Sequence, residues 1–226
     1  MWIRTDPATE LLNALEHAAL CTRLAGSDPS NWKWVVGALH SAAQIAMVIT
    51  LDDAGVYEHL SASDGNKKQN RPSSRERMRE FMATSRRDPN ARLPVTKLAS
   101  FTELFASSVR YGPEHFGHLN ERARRLNAIR NEWVHFDEGS YSIHLSAVGD
   151  AARAGLEIVR LLPWRDQVAA HGPPDAVAWI ETLIVKIGAS FDAALLAAAS
   201  AQADDDEDRY AELEARLATL ELLDDE

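Results

Sequence analysis

Residues 34–51, WVVGALHSAAQIAMVITL, decide the fold of this 226-residue chain. The stretch carries no formal charge, and its apolar residues fall on every side of a helical projection. That pattern predicts a central helix that other helices cover on all sides. A membrane span is the alternative, because the length is just sufficient, but His40, Ser41 and Gln44 in the middle of the stretch favour the buried helix.

Start and stop signals divide the rest of the chain into further helices. Asp6-Pro7 and Asp28-Pro29 each place a capping residue before a proline, so we expect a helix to begin at each. Other helices are expected over residues 56–61, 95–110, 113–136, 146–162 and 173–199, and over a basic segment capped by Ser74. We find no strand-rich region and no internal repeat. The expected fold class is therefore all-α.

The charge of the chain is unevenly distributed. The formal net charge of −10 would by itself argue against a nucleic-acid partner. Residues 204–226, however, hold eleven acids against two arginines, so residues 1–203 are close to neutral. Residues 67–92 hold nine Lys or Arg against three acids, and this patch is either a surface that tracks phosphates or a solvated helix with internal ion pairs.

Cysteine usage and the amino terminus indicate the compartment. The single cysteine, Cys21, cannot form an internal disulfide and lies in an apolar stretch, which is typical of a small core residue. The amino-terminal residues lack the basic patch and apolar run of a secretory signal. We therefore expect a soluble cytoplasmic protein that does not enter a membrane.

Motifs for bound metals and cofactors are missing. The histidines lack the spacing of a zinc site, although His115 and His118 could chelate weakly, and no nucleotide-binding glycine loop or serine-hydrolase elbow is present. We expect neither a metal nor a cofactor.

Residues 113–136 carry the functional signal. One apolar stripe of the expected helix contains Leu119, Leu126, Ile129, Trp133 and Phe136. A second face collects Arg124, Asn127, Asn131 and His135. Arg130 projects close to the apolar stripe, where a charge needs a fixed partner. His135 is expected in the last helical turn, where exposed carbonyls favour the imidazolium and suit a proton donor.

A single copy of this helix makes a poor active site. Arg130 and His135 are five residues apart, about 140° around a helix, so they do not converge on one substrate atom. If the same helix of a second copy crossed it around a two-fold axis, both pairs would line one cleft, so the chemistry predicts a homodimer. In an ordinary structural interpretation, Arg130 reaches a carboxylate and His135 caps carbonyls.

The sequence LNAIRNEWVHF at residues 126–136, followed by SYSIH, resembles the signature region of bacterial HEPN proteins. Arg130, Asn131 and His135 match the family motif R-N-x-x-x-H residue by residue. The resemblance extends over roughly residues 5–162. It implies an up-and-down helical bundle that dimerises.

The resemblance also implies an activity. Active HEPN members resemble toxins and defence effectors that cut RNA without metal, whereas other members are inactive scaffolds. The implied reaction is attack by the RNA's own 2′-hydroxyl, with His135 transferring a proton and Arg130 stabilising negative charge at phosphorus. Asn131 would orient the phosphate or the histidine. The residues expected to bind RNA are Lys67, Lys68, Arg75, Arg79 and Arg124.

Partners and domains follow from the same interpretation. The expected partners are RNA, a second copy of the chain, and an antitoxin or regulatory protein. Residues 1–162 should form a HEPN-like bundle with a basic insertion at about 62–92, and residues 163–203 an additional packing helix. Residues 204–226 should form an acidic amphipathic helix or tail, which solubilises the protein, inhibits it or forms oligomers. The alternative function is that of a catalytically inactive HEPN interaction scaffold.

Overall fold

The computed structural model describes residues 6–53, 57–65, 71–85, 88, 92–114, 116–134 and 143–221, with backbone alone at Asp53, Val134 and residues 201–221. Within these ranges the chain is all-α, as predicted. The helices are α1 (Pro7–Ala25), α2 (Trp32–Asp53), α3 (Ser74–Ser85), α4 (Phe101–Ser108), α5 (Asn120–Val134), α6 (Leu145–Leu161), α7 (Arg165–His171) and α8 (Ala176–Glu221). An isolated antiparallel bridge pairs Leu60 with Leu98.

Helix α2 is the centre of the fold. It packs against α1, α4, α5, α6 and α7. Its buried residues include Val35, Val36, Leu39, Ala42, Ala43, Ala46 and Met47. The central helix predicted from residues 34–51 is therefore confirmed as largely buried, but it is not covered on all sides, because Trp34 and Ser41 are exposed.

Two segments are long and apolar enough to cross a membrane when length and composition alone are considered. They are Pro29–Asp52 and Ala176–Ser200. The first is 67% buried inside the protein, which is the burial that a core helix shows, and the second is 33% buried.

Cys21 is also buried, on α1, as its apolar neighbours predict.

Capping side chains set several helix starts. Asp6 accepts a hydrogen bond from the Thr9 backbone N–H at 2.9 Å, which confirms the predicted start of α1. Such a cap typically stabilises a helix by about 1 kcal/mol. Asp28 caps a short 3-10 turn, Pro29–Asn31, which leads directly into α2.

Two predicted helices differ from the structure. The helix expected over residues 95–110 begins only at Phe101, because Ser100 and Glu103 form a capping box. The Ser100 N–H donates to Glu103 Oε2 at 2.9 Å, and the Glu103 N–H donates to Ser100 Oγ at 3.3 Å. The prediction of a short helix over residues 56–61 is wrong for residues 57–61. These residues form a turn and one half of the isolated bridge.

Helix α3 is joined by hydrogen bonds to residues 57–65 and 92–100. We call these three segments together the α3 extension. Asp64 accepts from both the backbone N–H and the hydroxyl of Ser74, at 2.7 and 2.6 Å, and from Arg77 at 3.2 Å. These hydrogen bonds, led by the one from the Ser74 hydroxyl, lower the pKa of Asp64 to about 2. Ser73 takes the capping position predicted for Ser74, because its hydroxyl accepts from the Glu76 N–H.

Helix α8 is longer than predicted. It begins at Ala176 and continues for 46 residues, across the expected boundary at residue 204, because no proline interrupts this alanine-rich stretch. Ile180, Ile187 and Phe191 are buried where α8 packs against α1 and α6. The short helix α7, which follows the buried Trp164, was not predicted.

Gly37 on α2 and Gly155 on α6 give a matched stability test. A Cβ at Gly155 would lie 3.0 Å from Leu39 Cβ and 3.1 Å from the Leu39 carbonyl oxygen, whereas a Cβ at Gly37 would meet no atom within 4 Å. We expect Gly155→Val to lower the free energy of unfolding by about 1–3 kcal/mol through overpacking against α2. Gly37→Val should change it by less than about 1 kcal/mol. Urea denaturation of both variants measures the difference, and equal effects would contradict the packing of α6 on α2.

Candidate functional site

The motif helix begins later than predicted. A 3-10 turn, Phe116–Leu119, precedes α5, which starts at Asn120 and is described as far as Val134. Leu119, Leu126 and Ile129 of the predicted apolar stripe are buried, and Trp133 packs half-buried against the core. Phe136, the last member of that stripe, lies outside the described residues.

Arg130 and Asn131 are half-buried neighbours near the end of α5. Arg130 Nη1 donates a hydrogen bond to Asn131 Oδ1 at 3.0 Å, so the guanidinium has the fixed partner that its position requires. That partner is a neutral amide, which orients the guanidinium without cancelling its charge. His135, the third residue of the motif, lies outside the described residues.

A buried histidine fixes α5 against α2 close to Arg130. His40 of α2 is 5% exposed, and its Nε2 lies 3.1 Å from Asn127 Oδ1 on α5. Because an amide oxygen only accepts, this ring nitrogen carries the proton. On its other side the imidazole stacks on Phe101 of α4, with 4.2 Å between ring centroids. Three helices therefore meet at this one side chain.

The surroundings of His40 keep the imidazole neutral. The pKa of His40 is lowered to about 4, chiefly by burial. The hydrogen bond to Asn127 opposes this shift, and the positive charge of Arg130 contributes to it. His40 is thus suited to holding α5 in place and not to exchanging protons near neutral pH.

Arg130 opens onto a groove between α1, α2 and α5. The groove has a volume of about 490 Å³. Arg130 and Trp133 line it from α5, and Gly37 lies on the α2 side. Its charged or polar lining residues are Glu10, Asn13, His17, Lys33 and Ser41. We call this the α1/α2/α5 groove.

A cation and an exposed aromatic ring share one end of this groove. Trp34 is 53% exposed, although it belongs to the apolar stretch of α2. Lys33 Nζ lies 5.0 Å from the centroid of the Trp34 ring, in a cation–π contact. Together with Arg130, the groove offers two permanent cations beside an accessible indole face.

Among the described residues expected to bind RNA, Arg75, Arg79 and Arg124 do not line this groove. Arg124 is exposed on α5 and lines a second groove with Phe101, Phe105 and Gly117. Arg75 is engaged inside the α3 extension, where it donates to the carbonyls of Glu58 and Leu60.

Arg79 lies exposed on α3. Lys67 and Lys68 fall outside the described residues. The RNA-binding role of these residues stays a prediction.

Metal ligands do not cluster in the described part of the chain. No group of three or more His, Cys, Asp or Glu side chains there could hold an ion. His118 contacts Glu157, which also pairs with Arg122 and Arg160, while His115 lies outside the described ranges. The expectation of a metal-free site stays a prediction.

No family model, curated protein or solved structure matches this chain. The candidate site therefore depends on the geometry of the described residues and on the motif.

Sequence reasoning did not identify His40, Lys33, Trp34 and Gly37 as parts of this site. Lys33 adjoins the apolar stretch that predicts α2, and Trp34 belongs to it. The pattern around both residues therefore indicated a core helix and not a site. His40 carried a usable signal, since a histidine inside an uncharged helix needs a buried hydrogen-bond partner. Its partner Asn127 is 87 residues away, so the pair could not be found from spacing.

The shifted pKa of His40 predicts a pH dependence of stability. Between the ordinary value of 6.5 and about 4, the unfolded chain binds a proton that the folded chain does not. The free energy of unfolding should therefore fall as the pH drops through this window, by at most about 3 kcal/mol from this group. His40→Gln keeps an N–H donor for Asn127 and removes the titration, so its stability should depend less steeply on pH.

Urea denaturation of the wild type and the variant at several pH values between 6.5 and 4 measures the effect. His171→Gln, which replaces an exposed histidine on α7, is the matched control and should keep the wild-type slope. An unchanged slope in His40→Gln would refute the buried, neutral state of His40.

Proposed function

We propose that this protein is a metal-independent endoribonuclease of HEPN type, with a composite active site where two copies of the chain meet. The observation that carries the proposal is the position of Arg130, at the wall of an open groove and anchored by the neutral amide of Asn131. A charge held in this way is available to an anion that enters the groove. Phosphate is the anion that an RNA-cleaving site must bind.

In the proposed reaction the 2′-oxygen of the RNA attacks the adjacent phosphorus and loses its proton to a base. The bond from phosphorus to the 5′-oxygen breaks, and that oxygen leaves with a proton from an acid. The products are a 2′,3′-cyclic phosphate and a free 5′-hydroxyl. Arg130 stabilises the negative charge on the phosphoryl oxygens, and His135 transfers a proton.

Asn131 acts in this scheme by holding the Arg130 guanidinium. The hydrogen bond between the two residues supports this role, which is narrower than the direct contact with phosphate or histidine suggested by the motif. The hydrogen bond from His40 to Asn127 acts one turn earlier, because it fixes the helix that carries the arginine. We therefore assign Asn131 and His40 as residues that position Arg130.

A homodimer is part of the proposal. A spacing of five residues corresponds to about 140° around a straight helix, so the proposal pairs the arginine of one copy with the histidine of the other. We further propose a cytoplasmic toxin or antiviral defence component that an antitoxin or regulatory protein restrains.

The alternative function is that of an inactive HEPN interaction scaffold. Helix α8 favours it, because Trp179, Val185 and Leu196 are each more than half exposed on this helix. Exposed large apolar side chains are available to contact another protein.

The first test is cleavage of a mixed RNA pool in EDTA. We expect Arg130→Ala and His135→Ala each to lower the rate by about a hundredfold or more, because charge stabilisation and proton transfer each contribute that much. Arg125→Ala removes the same charge from an exposed site on the same helix and should cleave like the wild type. Absence of cleavage by the wild type, or cleavage that survives in both motif variants, would reject the enzyme.

Mixing the two inactive variants tests the composite site. If the arginine and the histidine come from different copies, a heterodimer of Arg130→Ala and His135→Ala holds one intact site. Random exchange should then restore roughly a quarter of the wild-type rate. Cleavage assays after denaturing and refolding the mixture measure this. A mixture as inactive as its components would show that both residues act within one chain.

A further inference from the structure

The lining of the α1/α2/α5 groove is unusual for a surface depression, because permanent cations and an exposed aromatic ring occur together. Its volume of about 490 Å³ lies within the range of about 300–1,000 Å³ that is usual for small-molecule sites. Lys33 and Arg130 line it from two different helices. These are the groups that a nucleotide needs, since its phosphate binds cations and its base stacks on an aromatic face.

Trp34 is an exposed aromatic residue on a largely buried helix. Its neighbours Trp32 and Val35 on α2 are buried, whereas its own side chain is 53% exposed. The Lys33 ammonium lies over one face of the ring, 5.0 Å from its centroid, so a base would stack on the opposite face of the indole. A nucleotide stacked there would lie in the groove that Lys33 and Arg130 line.

The α2 side of the groove is open. A Cβ at Gly37, one turn after Trp34, would meet no atom within 4 Å. Gly37 is therefore not required for helix packing, although glycine destabilises a helix interior. Its effect in this position is to leave space beside Trp34 and Arg130.

We infer that the α1/α2/α5 groove is a subsite for one nucleotide of a single-stranded RNA, in which Trp34 stacks on the base and Lys33 and Arg130 bind the phosphate. The inference rests on the proposed function for RNA as the occupant. It adds the residues that select an unpaired strand, because a stacked base has to be out of a duplex. Asn13 and Ser41 offer hydrogen-bonding groups at the same groove.

The test measures binding of a fluorescent 2′-O-methyl RNA strand by anisotropy, in EDTA and at fixed salt. This probe has no free 2′-hydroxyl, so binding is read without cleavage. Trp34→Ala should weaken binding roughly tenfold, and Trp34→Phe, which keeps an aromatic face, should retain most of it. Gly37→Leu, whose side chain enters the open space, should also weaken binding by about tenfold or more.

One glycine variant serves as the control. Gly117→Leu fills the second groove, beside Arg124, and should leave binding unchanged. Thermal unfolding confirms that each variant is folded, and Gly37→Leu should melt no lower than the wild type because leucine favours the helix.

The outcomes separate this inference from the proposed function. Loss of binding in Trp34→Ala and Gly37→Leu supports the subsite even if ordinary RNA is not cleaved. Wild-type binding by both variants overturns the subsite even if cleavage occurs, and so does a complete absence of binding by the wild-type chain. Loss of the dimer in Trp34→Ala with RNA binding unchanged would also overturn it, because a second copy would then be the occupant. Weaker binding in Gly117→Leu alone would overturn it in favour of the groove beside Arg124.

Discussion

The burial of α2 is the constraint on which the other helices depend. Residues 34–51 carry no charge, so water has to be excluded from nearly the whole circumference of this helix. Five helices do so, and their own apolar faces are buried in return. Gly155 shows how close the contact is, since a Cβ there would press on both the side chain and the backbone of Leu39.

The candidate site lies where the contacts between α2 and the helices around it change from apolar to polar side chains. Helix α5 is held against α2 by Leu126 and Ile129 and also by the hydrogen bond between His40 and Asn127. A hydrophobic contact alone allows a helix to slide or rotate, whereas a buried hydrogen bond is lost if the helix shifts. Arg130 follows one turn later, so its position at the groove is a consequence of that register.

The sequence predicted the architecture better than the site. The uncharged stretch gave the central helix, and the Asp6-Pro7 signal gave the start of α1, because both depend on local chemistry. Helix α4 was predicted too long, because Leu98 and Phe101 fit a helical period but the capping box of Ser100 and Glu103 sets the true start. The groove could not be predicted, because it depends on how α1 and α5 flank α2, and neither Lys33 nor Gly37 carries a local signal for it.

In the proposed complex Arg130 binds the phosphate of an unpaired RNA strand beside a second copy of the chain. A crystal structure of the protein with a 2′-O-methyl RNA strand is the decisive measurement. We expect a phosphate hydrogen-bonded to Arg130, a base stacked on Trp34, and His135 from the other copy near the 5′-oxygen of the same phosphate. A strand bound along Arg124, or an α1/α2/α5 groove filled by protein from the other copy, would contradict it.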